Sequence, residues 1–401
     1  MKASRYNRLF RAEDGAWLLF NSRTTALAEI DPSEIDFVRS MLADPDRTPC
    51  PGERELAYRE GMIEGGFLVD DATDEAASIK SATLRDRFRT DQLHLTIAPT
   101  LDCNFRCDYC YEEHLRVTMA SAVQEALLEW LEQRAAGLRE FYVCWYGGEP
   151  LLPAARKVVI DLSRRFQEIS RQRGWLYRGQ IVTNGYFLER GLMEELAELG
   201  IDSVQVTLDG PPEEHDRRRH LLGGQGTFHR IVENMKQCVD LASFQVRINV
   251  DQRNAMSTLD AVRALDAAGL ARRVRIYLAQ VSFDGAACGN IQELCYSTES
   301  FARTEVEIYR QAARAGLPLG RYPNAIPGAF CTADRAGGFV IAPNGLIFKC
   351  WHEVTMNADR AIGSLLDGQQ PFQAAIEERW LAWDTFDKAG CKSCDVMPLC
   401  H

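Results

Sequence analysis

The sequence predicts an α/β protein centred on an open, partial (βα)6 TIM barrel. Three observations predict this. Short apolar runs of strand character alternate with amphipathic helical stretches from residue 93 to residue 315. Six such pairs can be counted, too few for the full eight-unit barrel and enough for an open one. Chemistry-bearing residues fall just after the strands, where ligands of such sheets gather.

In chain order, strand Leu93–Pro99 runs into a cysteine loop, and helix Ala120–Arg134 follows it. Strand Phe141–Tyr146 leads to helix Ala154–Arg171, and strand Gly179–Thr183 leads to helix Leu192–Leu199. Strand Ser203–Leu208 with helix Thr227–Leu241 comes next, then strand Phe244–Val250 with helix Leu259–Ala268. Strand Arg273–Val281 and helix Glu299–Ala315 close the series. Residues 1–85 differ in character. Trp17–Phe20 and Ala26–Ile30 form a hairpin around Asn21-Ser22-Arg23, and Pro32–Met41 reads as a helix. A second helix around Glu53–Glu60 follows a Pro/Gly break, and Gly65–Val69 reads as a closing strand. The pattern is that of a small winged-helix-like domain. Asp70–Asp91, rich in charge and alanine, reads as a linker. The expected organisation is therefore a domain over 1–85, the barrel over 90–320 and a cysteine-rich extension over 325–401.

Composition narrows the function classes. The chain has 401 residues, 46% hydrophobic and 26% charged, which is ordinary for a globular protein. No apolar run approaches the ~20 residues of a membrane span, and the N-terminus shows no signal-peptide core. The expected location is the cytoplasm. A net charge of −11 argues against a nucleic-acid surface. Thirteen cysteines in a reducing compartment point to metal or redox chemistry before disulfides.

The cysteines cluster. Cys103, Cys107 and Cys110 lie in Leu101-Asp-Cys-Asn-Phe-Arg-Cys-Asp-Tyr-Cys-Tyr111. Three thiolates with gaps of three and two residues suit three corners of a cubane iron–sulfur cluster. A fourth iron is then left open to a ligand, the mark of a reacting site. Half of a zinc knuckle, or plain thiols, is the competing reading. The C-x3-C-x2-C run, with an aromatic residue before its last cysteine, resembles the radical SAM superfamily.

Further motifs follow in the order that resemblance requires. Gly147-Gly148-Glu149-Pro150 closes the second strand and resembles the motif that binds the amine of S-adenosylmethionine. Two glycines admit close approach of a ligand to backbone carbonyls, and a carboxylate beside them suits an ammonium group. Thr183-Asn184-Gly185 and Thr207-Leu208-Asp209-Gly210 close the third and fourth strands, and His215-Asp-Arg-Arg-Arg219 trails the latter. Alone, Asp209-Gly210 reads as a turn, the arginine run as a solvated helix face, and His215 as a helix cap. The resemblance implies that Thr207 and Arg219 contact the S-adenosylmethionine carboxylate and that Tyr109 lies by its adenine. A guanidinium fork suits a carboxylate through two parallel hydrogen bonds. Asn249, ending the fifth strand, is a weaker ribose candidate.

The resemblance also implies the chemistry. A reduced [4Fe–4S] cluster, supplied with electrons by flavodoxin or ferredoxin, cleaves the bound sulfonium. The released 5′-deoxyadenosyl radical abstracts hydrogen from an unactivated carbon.

The C-terminal cysteines resemble the SPASM extension, which binds auxiliary iron–sulfur clusters. By that pattern Cys331 and Cys350 serve a first auxiliary cluster, while Cys391, Cys394 and Cys400 are shared between two. Cys391 and Cys394 by themselves also fit a zinc ribbon. The family pattern continues with further cysteines, whereas this sequence ends at His401; either the pattern runs on beyond the residues given, or the one or two auxiliary clusters expected are incompletely ligated. Cys144 and Cys238 read as buried thiols, Cys50 matches no motif, and Cys288 or Cys295 is a candidate for a missing ligand.

A winged-helix-like module before such a core resembles the recognition element that binds the leader of a ribosomal precursor peptide. The expected activity is a peptide maturase that forms an intramolecular thioether or carbon–carbon crosslink. Two alternatives stand beside it. Anaerobic sulfatase maturases, which make formylglycine, carry an aspartate where this chain has Trp351. A non-catalytic iron–sulfur DNA-binding regulator is opposed by the net acidity.

Overall fold

The computed structural model describes residues 1–282, 291–326, 328, 331–366 and 373–400, so Cys288 and His401 lie outside the described residues. The chain divides into two compact units, one of residues 1–89, 322–336 and 381–401, the other of residues 90–321 and 337–380. Residues 325–401, one module on the sequence reading, are shared between the two.

The first unit opens with β1 (Lys2–Ala3), β2 (Asn7–Arg11), β3 (Trp17–Asn21) and β4 (Leu27–Ile30). Strands β2, β3 and β4 form an antiparallel sheet in that order. A short 3-10 turn at Pro32–Glu34 runs into α1 (Ile35–Ala43), which α2 (Glu53–Glu64) follows. Strand β5 (Leu68–Val69) pairs back on β1. Leu19, Ile30, Val38, Met41, Met62, Phe67 and Leu68 make the core of these residues. The expected linker Asp70–Asp91 is instead mostly helix, α3 (Glu75–Arg87). Asp74 caps it by accepting the Ala77 N–H at 3.0 Å. Glu75 is buried in its first turn, where it accepts from Ser4 Oγ at 2.7 Å and Arg5 N at 2.9 Å.

The second unit carries β6 (Gln92–Ile97), β7 (Thr100–Leu101), β8 (Leu115–Thr118), α4 (Ser121–Gln133), β9 (Glu140–Trp145), α5 (Pro153–Arg173) and β10 (Leu176–Thr183). It continues with α6 (Arg190–Glu198), β11 (Ile201–Thr207), α7 (Pro212–Arg218), α8 (Phe228–Cys238), β12 (Ser243–Val250), α9 (Thr258–Ala267), β13 (Arg275–Gln280) and α10 (Thr298–Arg314). Strands β6, β9, β10, β11, β12 and β13 lie side by side in sequence order, all parallel. These are the six strands the sequence predicts, and the helix expected after each is present, with the unexpected α7 inserted between β11 and α8. Beyond β6 the sheet continues with β14 (Gly338–Ile341), parallel to it, then antiparallel β15 (Leu346–Phe348) and β16 (Gly363–Ser364).

Alternate strand residues are fully buried in the main core, among them Phe141, Val143 and Trp145 of β9 and Val204 and Val206 of β11. Their neighbours Tyr142, Cys144, Gln205, Arg247 and Tyr277 are only half-buried. Parallel sheets are usually apolar on both faces. A sheet with one polar face keeps that face for a ligand. Among the described residues no helix is long and apolar enough to cross a membrane.

Candidate active site

The cavity at the carboxyl ends of these strands is built from loops that glycine and cysteine spacing makes possible. Strands β7 and β8 pair antiparallel and clamp the base of the cysteine loop. Thr100 Oγ1 donates to the Val117 carbonyl at 2.6 Å and accepts from Asp102 N at 3.0 Å. Farther out the loop is fastened to the segment after α7, with Arg106 N donating to the His220 carbonyl at 3.0 Å and Leu222 N to the Asn104 carbonyl at 2.9 Å. Fully buried Phe105 sits between these anchors.

Cys103, Cys107 and Cys110 all line the cavity. Burial pushes each thiol pKa upward, that of Cys110 to about 12, with Glu112 adding to the rise. For Cys107, burial is the main cause and Arg219 works against it. Such thiols stay protonated until a cation arrives, and a coordinated metal deprotonates them outright. Among the described residues no three Cys, His, Asp or Glu side chains close on one point that a single ion would take.

The turn after β9 is pressed against the cysteine loop. Gly147 and Gly148 have φ of +85° and +53°. A Cβ at Gly148 would lie 2.3 Å from the Asp102 carbonyl oxygen, and one at Gly147 would lie 2.7 Å from Ala98 Cβ. Only glycine fits both demands. Glu149 turns away from the cavity lining and is completely buried. Its Oε1 accepts from Leu151 N at 2.9 Å and Thr183 Oγ1 at 2.7 Å, and its Oε2 accepts from Asn184 N at 2.7 Å. Burial raises its pKa against the pull of those three donors.

A second knot joins the loop to the ends of β11 and β12. The Tyr109 hydroxyl donates to Asp209 and accepts from Arg219 Nη1, and it also accepts from Asn249 Nδ2 at 3.0 Å. Asp209 Oδ1 accepts the Asn249 N–H at 2.8 Å. Arg218 lies 5.1 Å from the Tyr109 ring centroid and pairs with Asp251 at 2.8 Å. His215 is fully buried and held well below its usual pKa, by burial first and then by Arg219 and Arg218. Its neutral ring accepts the Asp209 N–H at 3.3 Å through Nδ1, which leaves Nε2 to donate to Thr227 Oγ1 at 3.0 Å. His215 thus braces the strand end from α7 and does no helix capping.

Of the residues singled out in the sequence, Cys103, Cys107, Tyr109, Cys110, Gly147, Gly148, Thr183, Asn184, Thr207, Arg219 and Asn249 share this cavity. Glu149 and Asp209 support it from behind. Cys350 lies in the sheet unit, and Cys331, Cys391, Cys394 and Cys400 lie in the other. Sequence reasoning missed several lining residues. Arg247 stands two positions before Asn249 and Gln205 two before Thr207, so strand alternation was an available signal. Trp351 and His352 carry no such signal; Trp351 packs on Tyr146 with centroids 5.0 Å apart, and His352 stacks on Tyr111 at 4.5 Å. Glu112 is a fifth omission. Its Oε2 accepts the Gly148 N–H at 2.7 Å, and burial pushes its pKa up to about 7.

Fold and site together define an α/β protein with a mostly parallel sheet, a three-thiol loop and a cluster of polar groups at its strand ends. Residues 97–250 match the model of the Radical SAM superfamily. The chain is 30% identical over 168 residues to the probable GTP 3′,8-cyclase of Archaeoglobus fulgidus, covering 42% of this chain and 51% of that protein. It thus spans about half the length of that relative. It is 25% identical over 317 residues to the PqqA peptide cyclase of Rhizobium meliloti, covering 73% of this chain and 76% of that protein. Among solved structures, anSMEcpe with bound AdoMet superposes with a TM-score of 0.60 at 16% identity, covering 77% of this chain and 88% of that one. Streptococcus suis SuiB bound to precursor peptide SuiA superposes with a TM-score of 0.52 at 15% identity, covering 100% of this chain and 94% of that one.

The superfamily implies a [4Fe–4S] cluster and S-adenosylmethionine. The residues present fit both. Three thiols are available to the cluster. Two lining residues also carry buried atoms with no hydrogen-bond partner among the described residues, the acceptor Glu112 Oε1 and the donor Arg219 Nε. An α-amino acid, cationic at one group and anionic at the other, matches that pair.

Proposed function

We propose that this chain is a radical SAM enzyme that modifies a ribosomally made precursor peptide, closing an intramolecular thioether or carbon–carbon crosslink. The observation that carries the reading is the convergence of the three-cysteine loop, the Gly147-Gly148 turn and the Tyr109–Arg219 knot on one cavity. The peptide as substrate is supported by the relative named a peptide cyclase and by fold similarity to SuiB along the whole chain.

Cys103, Cys107 and Cys110 hold the cluster in this reading. Thr207 and Arg219 take the S-adenosylmethionine carboxylate, Asn249 the ribose and Tyr109 the adenine side. A cluster held there would supply the one electron that breaks a C–S bond of the bound sulfonium, giving methionine and a 5′-deoxyadenosyl radical. The chain's own task is orientation and exclusion of water. The glycine turn fixes backbone carbonyls at the cavity wall, and the Tyr109 hydroxyl holds the Arg219 fork in place. Trp351 and Tyr146 pack together in one wall of the cavity and help exclude water. In the first unit, β2 and β4 are edge strands of their sheet among the described residues, which suits leader binding by strand addition. A flavodoxin or ferredoxin supplies the electron, and the setting is the cytoplasm. One or two auxiliary clusters at Cys331, Cys350, Cys391, Cys394 and Cys400 belong to the same proposal.

The test is anaerobic. Reconstituted protein given dithionite and S-adenosylmethionine is expected to yield 5′-deoxyadenosine, and Cys107→Ala is expected to yield none. Full iron loading without any deoxyadenosine would sink the enzyme reading. Iron that survives simultaneous replacement of Cys103, Cys107 and Cys110 by alanine would mark auxiliary clusters; its complete loss would exclude them.

A further inference from the structure

We infer that Glu112, and not Glu149, is the carboxylate that receives the amine of S-adenosylmethionine. This rests on the radical SAM reading above and names a residue that the glycine–glutamate motif does not contain. Both oxygens of Glu149 are engaged by Leu151 N, Thr183 Oγ1 and Asn184 N, and the residue is absent from the cavity lining. Its carboxylate ties the turn to the end of β10.

Glu112 has the position that Glu149 lacks. It lines the cavity two residues after Cys110, and its Oε2 accepts the N–H of Gly148 at 2.7 Å. The carboxylate is therefore fixed beside the glycine turn whose carbonyls are the other expected amine contacts. Its Oε1 is buried and has no hydrogen-bond partner among the described residues. A buried carboxylate oxygen left unpaired is costly, and a cation that hydrogen-bonds to it relieves the cost. Among the described residues no ion pair joins Glu112 to a lysine, arginine or histidine, which leaves Oε1 for a cation carried by a ligand. The complementary orphan, Arg219 Nε, belongs to a guanidinium already steadied by Tyr109. A carboxylate and an amine on one ligand carbon chain answer the two orphans together.

The experiment measures binding, on the full chain reconstituted anaerobically and matched for iron content. Two probes are used: S-adenosylhomocysteine, and its deaminated counterpart, the adenosyl thioether of 4-mercaptobutyrate. Glu112→Gln keeps an acceptor for the Gly148 N–H and removes the charge. The variant is expected to bind S-adenosylhomocysteine roughly tenfold more weakly or worse, the size of one charge-assisted hydrogen bond. The deaminated probe is expected to change by less than about twofold, within the context scatter of such contacts. Equal weakening of both probes, or of neither, overturns the inference. Glu149→Gln provides a second arm, expected to weaken both probes alike through the turn. Selective loss of amine preference in Glu149→Gln overturns the inference as well. A failure of the underlying reading looks different, because wild-type protein would then bind neither probe.

Discussion

Gly148 combines a left-handed φ of +53° with a carbonyl oxygen 2.3 Å from where a Cβ would sit. Gly148→Ala therefore forces Asp102, one residue before Cys103, to move. Strain of this kind costs about 1–3 kcal/mol, and the expected readout is loss of most reconstituted iron with little change in far-UV circular dichroism. Full iron retention would show that the turn and the loop are not coupled. His215 gives a prediction in pH. Its folded pKa is depressed by burial and two arginines, so the folded state resists a proton that the unfolded chain accepts near 6.5. Stability is whole above that value and is lost as pH falls below it, by up to about 1.4 kcal/mol per pH unit. His215→Gln is expected to flatten the dependence of the melting temperature between pH 7 and pH 5; an unchanged slope would assign it elsewhere. At this scale the meeting of the cysteines, glycines and Arg219 at one cavity was legible, because their types and spacing form motifs at successive strand ends. Glu112 was not, since a glutamate after a cysteine loop has no pattern of its own and its role depends on a contact with Gly148, 36 residues away.

The six parallel strands were readable as elements because each is a short apolar run flanked by turn residues, and helix periodicity takes over at once. Helix α3 was not, because its apolar residues do not gather on one side and its charge resembles a solvated linker. What holds it is a cap and a buried acid, neither of which periodicity measures. Asp74→Ala removes the oxygen that accepts the Ala77 N–H and is expected to cost the helix start about 1 kcal/mol. Amide exchange at residues 76–78 should then quicken about fivefold, while exchange in α5 stays as it was. Equal protection in both proteins would mean that the Glu75 contacts alone define the helix start. The same limit of local reading explains β14. Its residues were assigned to a separate extension, yet they extend the main sheet through pairing with β6, more than 240 residues earlier in the chain.

At the scale of the whole molecule, the division into units does not follow chain order, and one arginine shows how the first unit is assembled from distant segments. Arg87, at the end of α3, is buried with 6% exposure. Its Nε donates to the Asp334 carbonyl at 3.2 Å, Nη1 to the Trp383 carbonyl at 2.6 Å and Nη2 to the Leu381 carbonyl at 2.9 Å. Arg335 adds an ion pair with Asp86 at 2.8 Å, and Lys80 one with Asp384 at 2.8 Å. One guanidinium thus satisfies carbonyls from two segments that carry Cys331, Cys391, Cys394 and Cys400. Sequence reading could not find this, because nothing local distinguishes Arg87 from the charged residues around it. Arg87→Ala leaves three carbonyls without their donor, and buried hydrogen bonds to a charged group are worth about 1.5–3 kcal/mol each. Limited proteolysis of the full chain is expected to cut residues 381–400 early in this variant. The strands of the second unit should stay protected, and S-adenosylhomocysteine should bind as it does to wild type. If the variant instead loses ligand binding in step with its new cleavage sites, the two units fold as one cooperative body and the division drawn by their internal packing has no energetic meaning.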